Sequence, residues 1–141
     1  MFKTVVVGAD GSSTASEAFR CALELVKASG GTLHVVSAYK RSAASAEGLP
    51  DEFIDGIDSA SRASAVLDDL ASRARAVGVN AVTHSLKEDP AEGIISVAQK
   101  ERADLIVVGN KGMKGVRRVL GSVPNDVAHH APCSTLIVQT T

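Results

Sequence analysis

Short unbroken apolar runs alternate along this chain with longer stretches in which apolar residues recur every three or four positions. The first run, Thr4 to Gly8, is β-branched, continuous and closed by glycine, which predicts a buried strand. Ala15, Ala18, Phe19, Ala22, Leu23 and Val26 then repeat at helical spacing. Thr14, with Glu17 three residues on, has the form of a capping box at the start of that helix, and Gly30-Gly31 marks its end. Thr32 to Ala38 predicts a second strand. Residues 40 to 60 read as a loop, first rich in Ala and Ser, then acidic at Asp51, Glu52, Asp55 and Asp58. Ala63, Val66, Leu67, Leu70, Ala74 and Val77 mark one face of a second helix, stopped by Gly78.

Asn80 to Leu86 predicts a third strand. Asp89-Pro90-Ala91-Glu92 is a strong helix start, with Asp as cap, Pro in the first turn and Glu at the third position. Ile94, Ile95 and Ala98 supply the buried face of that helix. Asp104 to Gly109 predicts a fourth strand, a glycine-rich loop runs from Gly109 to Gly121, and Ser122 to about His130 predicts a short helix with Pro124 in its first turn. Ser134 to Thr140 predicts the last strand.

Strands alternating with helices imply an α/β fold, a doubly wound parallel sheet covered on both faces. Five strands and four helices account for the length as one domain, residues 1–141. In such sheets ligands sit beyond the carboxy ends of the strands, where strand order reverses. That rule directs attention to Asp10, the stretch from Val35 to Ser37, Glu88 and Gly109.

Composition removes several classes of function. Fifteen basic against sixteen acidic residues leave a net charge of −1, so the chain as a whole does not attract nucleic acid or an anionic membrane. Aromatic residues at 3% leave little for base stacking. Two cysteines, Cys21 and Cys133, form no C-x-x-C and lie at no metal-ligand spacing, which fits a reducing cytoplasm better than a disulfide scaffold. No apolar run reaches the length of a signal peptide or a membrane span.

The candidate chemistry sits in Gly109-Asn110-Lys111-Gly112-Met113-Lys114-Gly115-Val116-Arg117-Arg118-Val119-Leu120-Gly121-Ser122. The segment leaves a buried strand and enters a helix. Glycines let backbone N–H groups approach phosphate oxygens, and the helix start at Gly121-Ser122 adds unpaired donors and a favourable dipole. The Ser122 hydroxyl can donate to a phosphate or cap its own helix. Lys111, Lys114, Arg117 and Arg118 concentrate four cations in an otherwise balanced chain, which suits a polyphosphate. The competing reading is a turn-rich connection with solvated charges. Neither a Walker loop nor a G-x-G-x-x-G after the first strand is present.

These residues resemble the universal stress proteins over nearly the whole chain. Val5-Val6-Val7-Gly8-Ala9-Asp10-Gly11-Ser12 is similar to that family's first strand and its Asp-Gly-Ser turn, Leu33-His34-Val35-Val36 to its second strand, and Asp104 to Gly109 to its fourth. Gly109-x-x-Gly112 followed by Gly121-Ser122 resembles the nucleotide motif G-x-x-G-x(9)-G-[ST]. The resemblance implies an adenine-nucleotide alpha-hydrolase-like sheet of order 3-2-1-4-5, and binding of ATP, or of AMP or cyclic AMP. By the same resemblance Asp10 stands near the ribose and a Mg²⁺ ion, and Val35 meets adenine through its backbone. Gly109, Gly112, Gly121 and Ser122 hold ribose and phosphates. The last strand, around Thr135 to Gln139, pairs with its twin in a homodimer, and nucleotide state is reported to a protein partner. Two features depart from the pattern: eight residues separate Gly112 from Gly121, and Glu88-Asp89-Pro90 stands where the family often has Gly-x-Pro.

Read without the family, Asp10 is equally a structural turn residue, since Asp-Gly is a common turn pair. Beside a triphosphate, an Asp also suits Mg²⁺, which takes one or two carboxylates together with phosphate oxygens. His34, among apolar neighbours, is expected to be a hydrogen-bonded structural histidine, His84 a surface one, and His129-His130 a helix terminus. Cys21 is expected in the core, and Arg73 and Arg75 in solvent. Nothing places a His and a carboxylate beside a serine, and no positioned base with an arginine finger is visible, so the chain is not expected to be an enzyme beyond slow ATP hydrolysis. An adenylyl transferase would need a substrate-binding extension. A phospho-accepting receiver would need an acidic pair after the first strand, where Asp10 stands alone.

Overall fold

The computed structural model describes residues 1–39, 50–111 and 120–140, with backbone alone over residues 50–58. The elements are β1 (Thr4–Gly8), α1 (Ser13–Ser29), β2 (Thr32–Ala38), α2 (Pro50–Ala76), β3 (Asn80–Leu86), α3 (Pro90–Lys100), β4 (Leu105–Asn110), α4 (Ser122–His130) and β5 (Ser134–Gln139). The strands form one parallel sheet in the order β3-β2-β1-β4-β5. Both neighbours of β1 pair with it in register, Val7 lying between Val35 and Val107. The order reverses between β1 and β4, so their carboxy ends open the crevice in which this class of sheet binds ligands.

Alternation of side chains along each strand gives the sheet two apolar faces, because helices cover both sides. Val5, Val7, Leu33, Val35 and Val107 pack against α1 and α2, with Phe19, Val26, Leu67 and Leu70 from those helices. Val6, Val36, Ile106 and Val108 pack against α3 and α4, with Ile94, Val97 and Val127. Phe19 is among the largest fully buried side chains, and its truncation to Ala would remove about 3–5 kcal/mol.

Several local expectations change. The cap of α1 is Ser12, whose Oγ accepts from the Ala15 N–H at 3.1 Å. Thr14 lies inside the first turn, and its hydroxyl is engaged instead by Thr140. The turn at Gly11, with φ of 83°, delivers Ser12 to the cap and sets Thr14 too late for it. Helix α2 begins at Pro50, well before Ala63, so the acids at Asp51, Glu52, Asp55 and Asp58 belong to a helix and not to a loop. Their Ala/Ser-rich forerunners at 40–49 lie outside the described residues. Strand β4 runs one residue further than expected, through Asn110, and β5 stops at Gln139. The start of α3 is as read: Asp89 caps it by accepting from the Glu92 N–H, and Pro90 occupies its first turn. Among the described residues no helix is long and apolar enough to cross a membrane.

Candidate functional site

A cleft opens beyond the carboxy ends of β1, β2 and β4, on the side of the sheet covered by α3 and α4. Its volume is about 590 Å³, counting the part open to solvent. Polar groups stand along one wall, at Asp10, Ser12 and Thr14, while Val36, Ile94 and Val123 are among its apolar lining. Gly8 and Gly109 bring bare backbone to its floor. The arrangement suits a ligand with a flat apolar part and a hydroxylated or charged part.

Asp10 is exposed at the end of β1. Its Oδ1 accepts from the Ser12 N–H at 2.9 Å and from the Ser12 hydroxyl at 2.5 Å, an arrangement that closes the turn over Gly11. The structure shows the turn role weighed for Asp10. One carboxylate oxygen serves the turn, and the other has no hydrogen bond among the described residues. Asp10 also forms part of a second cleft, on the α2 side, with Ser37, Tyr39, Ser59 and Arg62.

Gly109 has a steric reason for its identity. A Cβ there would stand 2.6 Å from the Thr14 carbonyl oxygen, so the start of α1 is close enough to β4 to forbid any side chain. Gly121 is the residue before α4, and its N–H donates to Asn110 Oδ1 at 2.9 Å. Ser122 opens α4 and is exposed, while its neighbour Val123 faces the cleft. Gly112 and the cations Lys114, Arg117 and Arg118 lie outside the described residues; Lys111 is described and exposed.

Val35, expected to meet a base through its backbone, has its side chain fully buried on the α1 and α2 side; on β2 the cleft lining is Val36 and Ala38. Pairing of Val35 with Val7 on one side and Thr83 on the other fixes that orientation. Glu88 is half-buried and absent from the lining, whereas Pro90, two residues on, is part of it.

A small polar network was not foreseen. Asn110 is buried at 3% exposure. Its carbonyl accepts from the Thr140 N–H at 3.0 Å, and Thr140 Oγ1 lies 3.2 Å from the Thr14 hydroxyl. The wall of the cleft, the end of β4, the residue after β5 and the entry to α4 are thus tied together. The one sequence signal was a carboxamide where a buried apolar strand ends, a polar group that must find partners.

The histidines divide. His34 is buried, as expected, but its partner is His84, predicted to be on the surface. His34 Nδ1 and His84 Nε2 are 2.9 Å apart, with ring centroids 5.2 Å apart and planes inclined at 31°. Edge strand β3 carries His84 on the same face as His34, which leaves it half-buried. Burial lowers the pKa of both rings. Glu101 opposes this at both, and at His84 the His34 ring and Lys100 lower it further. His129 and His130 end α4, their Nδ1 atoms 2.9 and 3.0 Å from the carbonyls of Asn125 and Asp126. Cys21 and Cys133 are half-buried, and burial pushes both thiols up, away from reactive thiolates. Arg73 and Arg75 are exposed, Arg73 pairing with Asp69 at 3.1 Å.

Comparison with known proteins gives one consistent result. The sequence model described as "Universal stress protein family" matches residues 1–139. Universal stress protein Rv1636 of Mycobacterium tuberculosis is 35% identical over 145 aligned positions, covering 99% of this chain and 98% of that protein. A universal stress protein of Thermus aquaticus is 33% identical over 99% of this chain and all of its own length. Among solved structures, a universal stress protein in complex with cAMP is 31% identical, with a TM-score of 0.77 and coverage of 99% of both chains.

Proposed function

Since the chain belongs to the universal stress protein family, we propose that it binds ATP, or AMP or cyclic AMP, and acts in the cytoplasm as a nucleotide-dependent regulator of the stress response. The observation that carries this reading is the cleft at the reversal of strand order, walled by Asp10 on one strand end and Gly109 on the other. The relative solved with cAMP, similar over both full lengths, supports an adenine nucleotide as the occupant.

In this reading the base lies against Val36 and Ile94, out of water. The ribose hydroxyls donate to the Asp10 oxygen that Ser12 leaves unbonded. Phosphates lie toward Gly109 and the start of α4, where the first-turn N–H groups of Ser122 and Val123 favour negative charge. With ATP, that oxygen would instead fit a Mg²⁺ ion, which is commonly held by one or two carboxylates and the phosphates themselves. The ion would neutralise phosphate charge there. The chain works as a homodimer through β5 and passes its state to a protein partner. Catalysis is not its main task.

One observation favours a second reading, a family member that works without nucleotide as a dimeric interaction module. The Gly121 N–H, which the motif reserves for phosphate, is already held by Asn110. Calorimetric titration with ATP, AMP and cyclic AMP, with and without Mg²⁺, separates the two. Binding that is lost in Gly121→Val establishes the first. Affinity weaker than about 1 mM for all three ligands establishes the second.

A further inference from the structure

Away from the cleft, His34 and His84 bring two ring nitrogens face to face. We propose that these two imidazoles form a binding site for a divalent transition ion that favours square-planar nitrogen, Cu²⁺ or Ni²⁺. An ion holding two imidazole nitrogens at about 2.0–2.1 Å sets them about 2.9 Å apart when they are cis on a square plane, and about 3.4 Å apart on a tetrahedron. His34 Nδ1 and His84 Nε2 stand 2.9 Å apart.

The backbone places the two residues side by side. Both residues belong to the β2–β3 ladder, which runs unbroken from Thr32↔Asn80 to Ala38↔Leu86, and His84 sits opposite Val36, one same-face step along from His34. The surroundings favour a cation: Glu101, which caps the carboxy end of α3, acts on both rings, and that helix end carries partial negative charge. Lys100 opposes it at His84. Burial keeps both rings neutral near pH 7, so protons do not compete for the nitrogens.

The exchange balances. In the free pair, one facing nitrogen donates its proton to the lone pair of the other. On binding, that proton moves to the far nitrogen of the same ring, both facing lone pairs bond to the ion, and no net proton is released. Each lone pair must turn off the line between the nitrogens by rotation of its ring. Among the described residues no third His, Cys, Asp or Glu completes a cluster, so water supplies the other positions.

The chain has four histidines, which makes the test direct. The ring signals of all four are followed by NMR in the parent protein, and those of His34 and His84 in a His129→Ala, His130→Ala background, as Ni²⁺ or Cu²⁺ is added, and affinity is measured by calorimetry. Perturbation of His34 and His84 together, with affinity reduced about tenfold or more in His84→Gln, supports the site. Zn²⁺ should bind more weakly than Cu²⁺, because its tetrahedron requires the wider gap. Gln at 84 keeps a hydrogen-bonding partner for His34, and a thermal melt checks that this variant is folded. Should it misfold, the ring signals of the background protein decide alone. Perturbation confined to His129 and His130 in the parent protein, or equal affinity in His84→Gln, overturns the proposal.

Discussion

Asn110 Oδ1 accepts from the Gly121 N–H at 2.9 Å, and this bond joins the two ends of the glycine loop. It ties the start of α4 to the end of β4. Replacement by Ala leaves the Gly121 N–H without that partner and should cost about 1–3 kcal/mol, read as a lower urea midpoint. If Asn110 also withholds this donor from phosphate, Asn110→Ala will bind ATP relatively better than adenosine. An equal change for both ligands would show that the bond only braces the loop.

Gly109→Ala should be more damaging than its size suggests. The new methyl would meet the Thr14 carbonyl oxygen at 2.6 Å, and both belong to backbone that cannot yield cheaply. Overpacking of this kind costs about 1–3 kcal/mol. The melting temperature should fall, and ligand affinity with it, because α1 forms a wall of the cleft.

Asp10 can be split into its two roles by chemistry. Asn at this position still offers an oxygen to Ser12, so the turn and stability should persist. The charge that would hold Mg²⁺ is gone. Titration of Asp10→Asn should therefore show ATP binding that no longer responds to Mg²⁺, with cyclic AMP binding less affected. A Mg²⁺ response equal to that of the parent would remove Asp10 from the metal's coordination.

The cap of α1 gives a simpler test. Ser12→Ala removes the acceptor for the Ala15 N–H and the hydroxyl bound to Asp10, and should destabilise by about 1 kcal/mol. Thr14→Ala should leave helix capping unchanged and act instead through the loss of Thr140 Oγ1. Denaturation of the two variants side by side checks the assignment.

Acid should weaken the fold through His34 and His84. Both rings titrate below the ordinary histidine value of about 6.5 when folded, chiefly because they are buried. In the unfolded chain they take up protons near that ordinary value. As pH falls below about 6.5, the unfolded state therefore binds more protons, and stability declines until the lowered native values are reached. Above that pH the contribution is complete and constant. Urea midpoints measured between pH 7.5 and 5 should fall, and His84→Gln should flatten the slope.

Most of the architecture was legible because each element carries its own signal. The triple valine of β1, the Asp89-Pro90 start of α3 and the Gly30 stop of α1 each specify local geometry by local chemistry. Their alternation then left one class of sheet. The start of α2 was not legible, because Phe53, Ile54 and Ile57 stand there among four acids and the loop-favouring Gly48, Pro50 and Gly56. The cap of α1 was misplaced by two residues because Ser12 and Thr14 have similar side chains, and the choice between them rests on the positive φ of Gly11.

Within the site, sequence spacing located Asp10 and Gly109, the residues whose position depends on where a strand ends. It located the stretch from Val35 to Ser37 but did not single out Val36 within it, because which of two adjacent strand residues faces a cleft depends on the side from which the helices pack. The pairing of His34 with His84 was hidden for another reason. They are fifty positions apart, and their meeting depends on the register of two parallel strands.

Thr140 shares hydrogen bonds with Thr14 on one side and Asn110 on the other. It directly follows β5, an outer strand of the sheet. The polar wall of the cleft at Thr14 and the outer edge of the sheet after β5 therefore share one threonine, so a single hydroxyl belongs to the boundary of both.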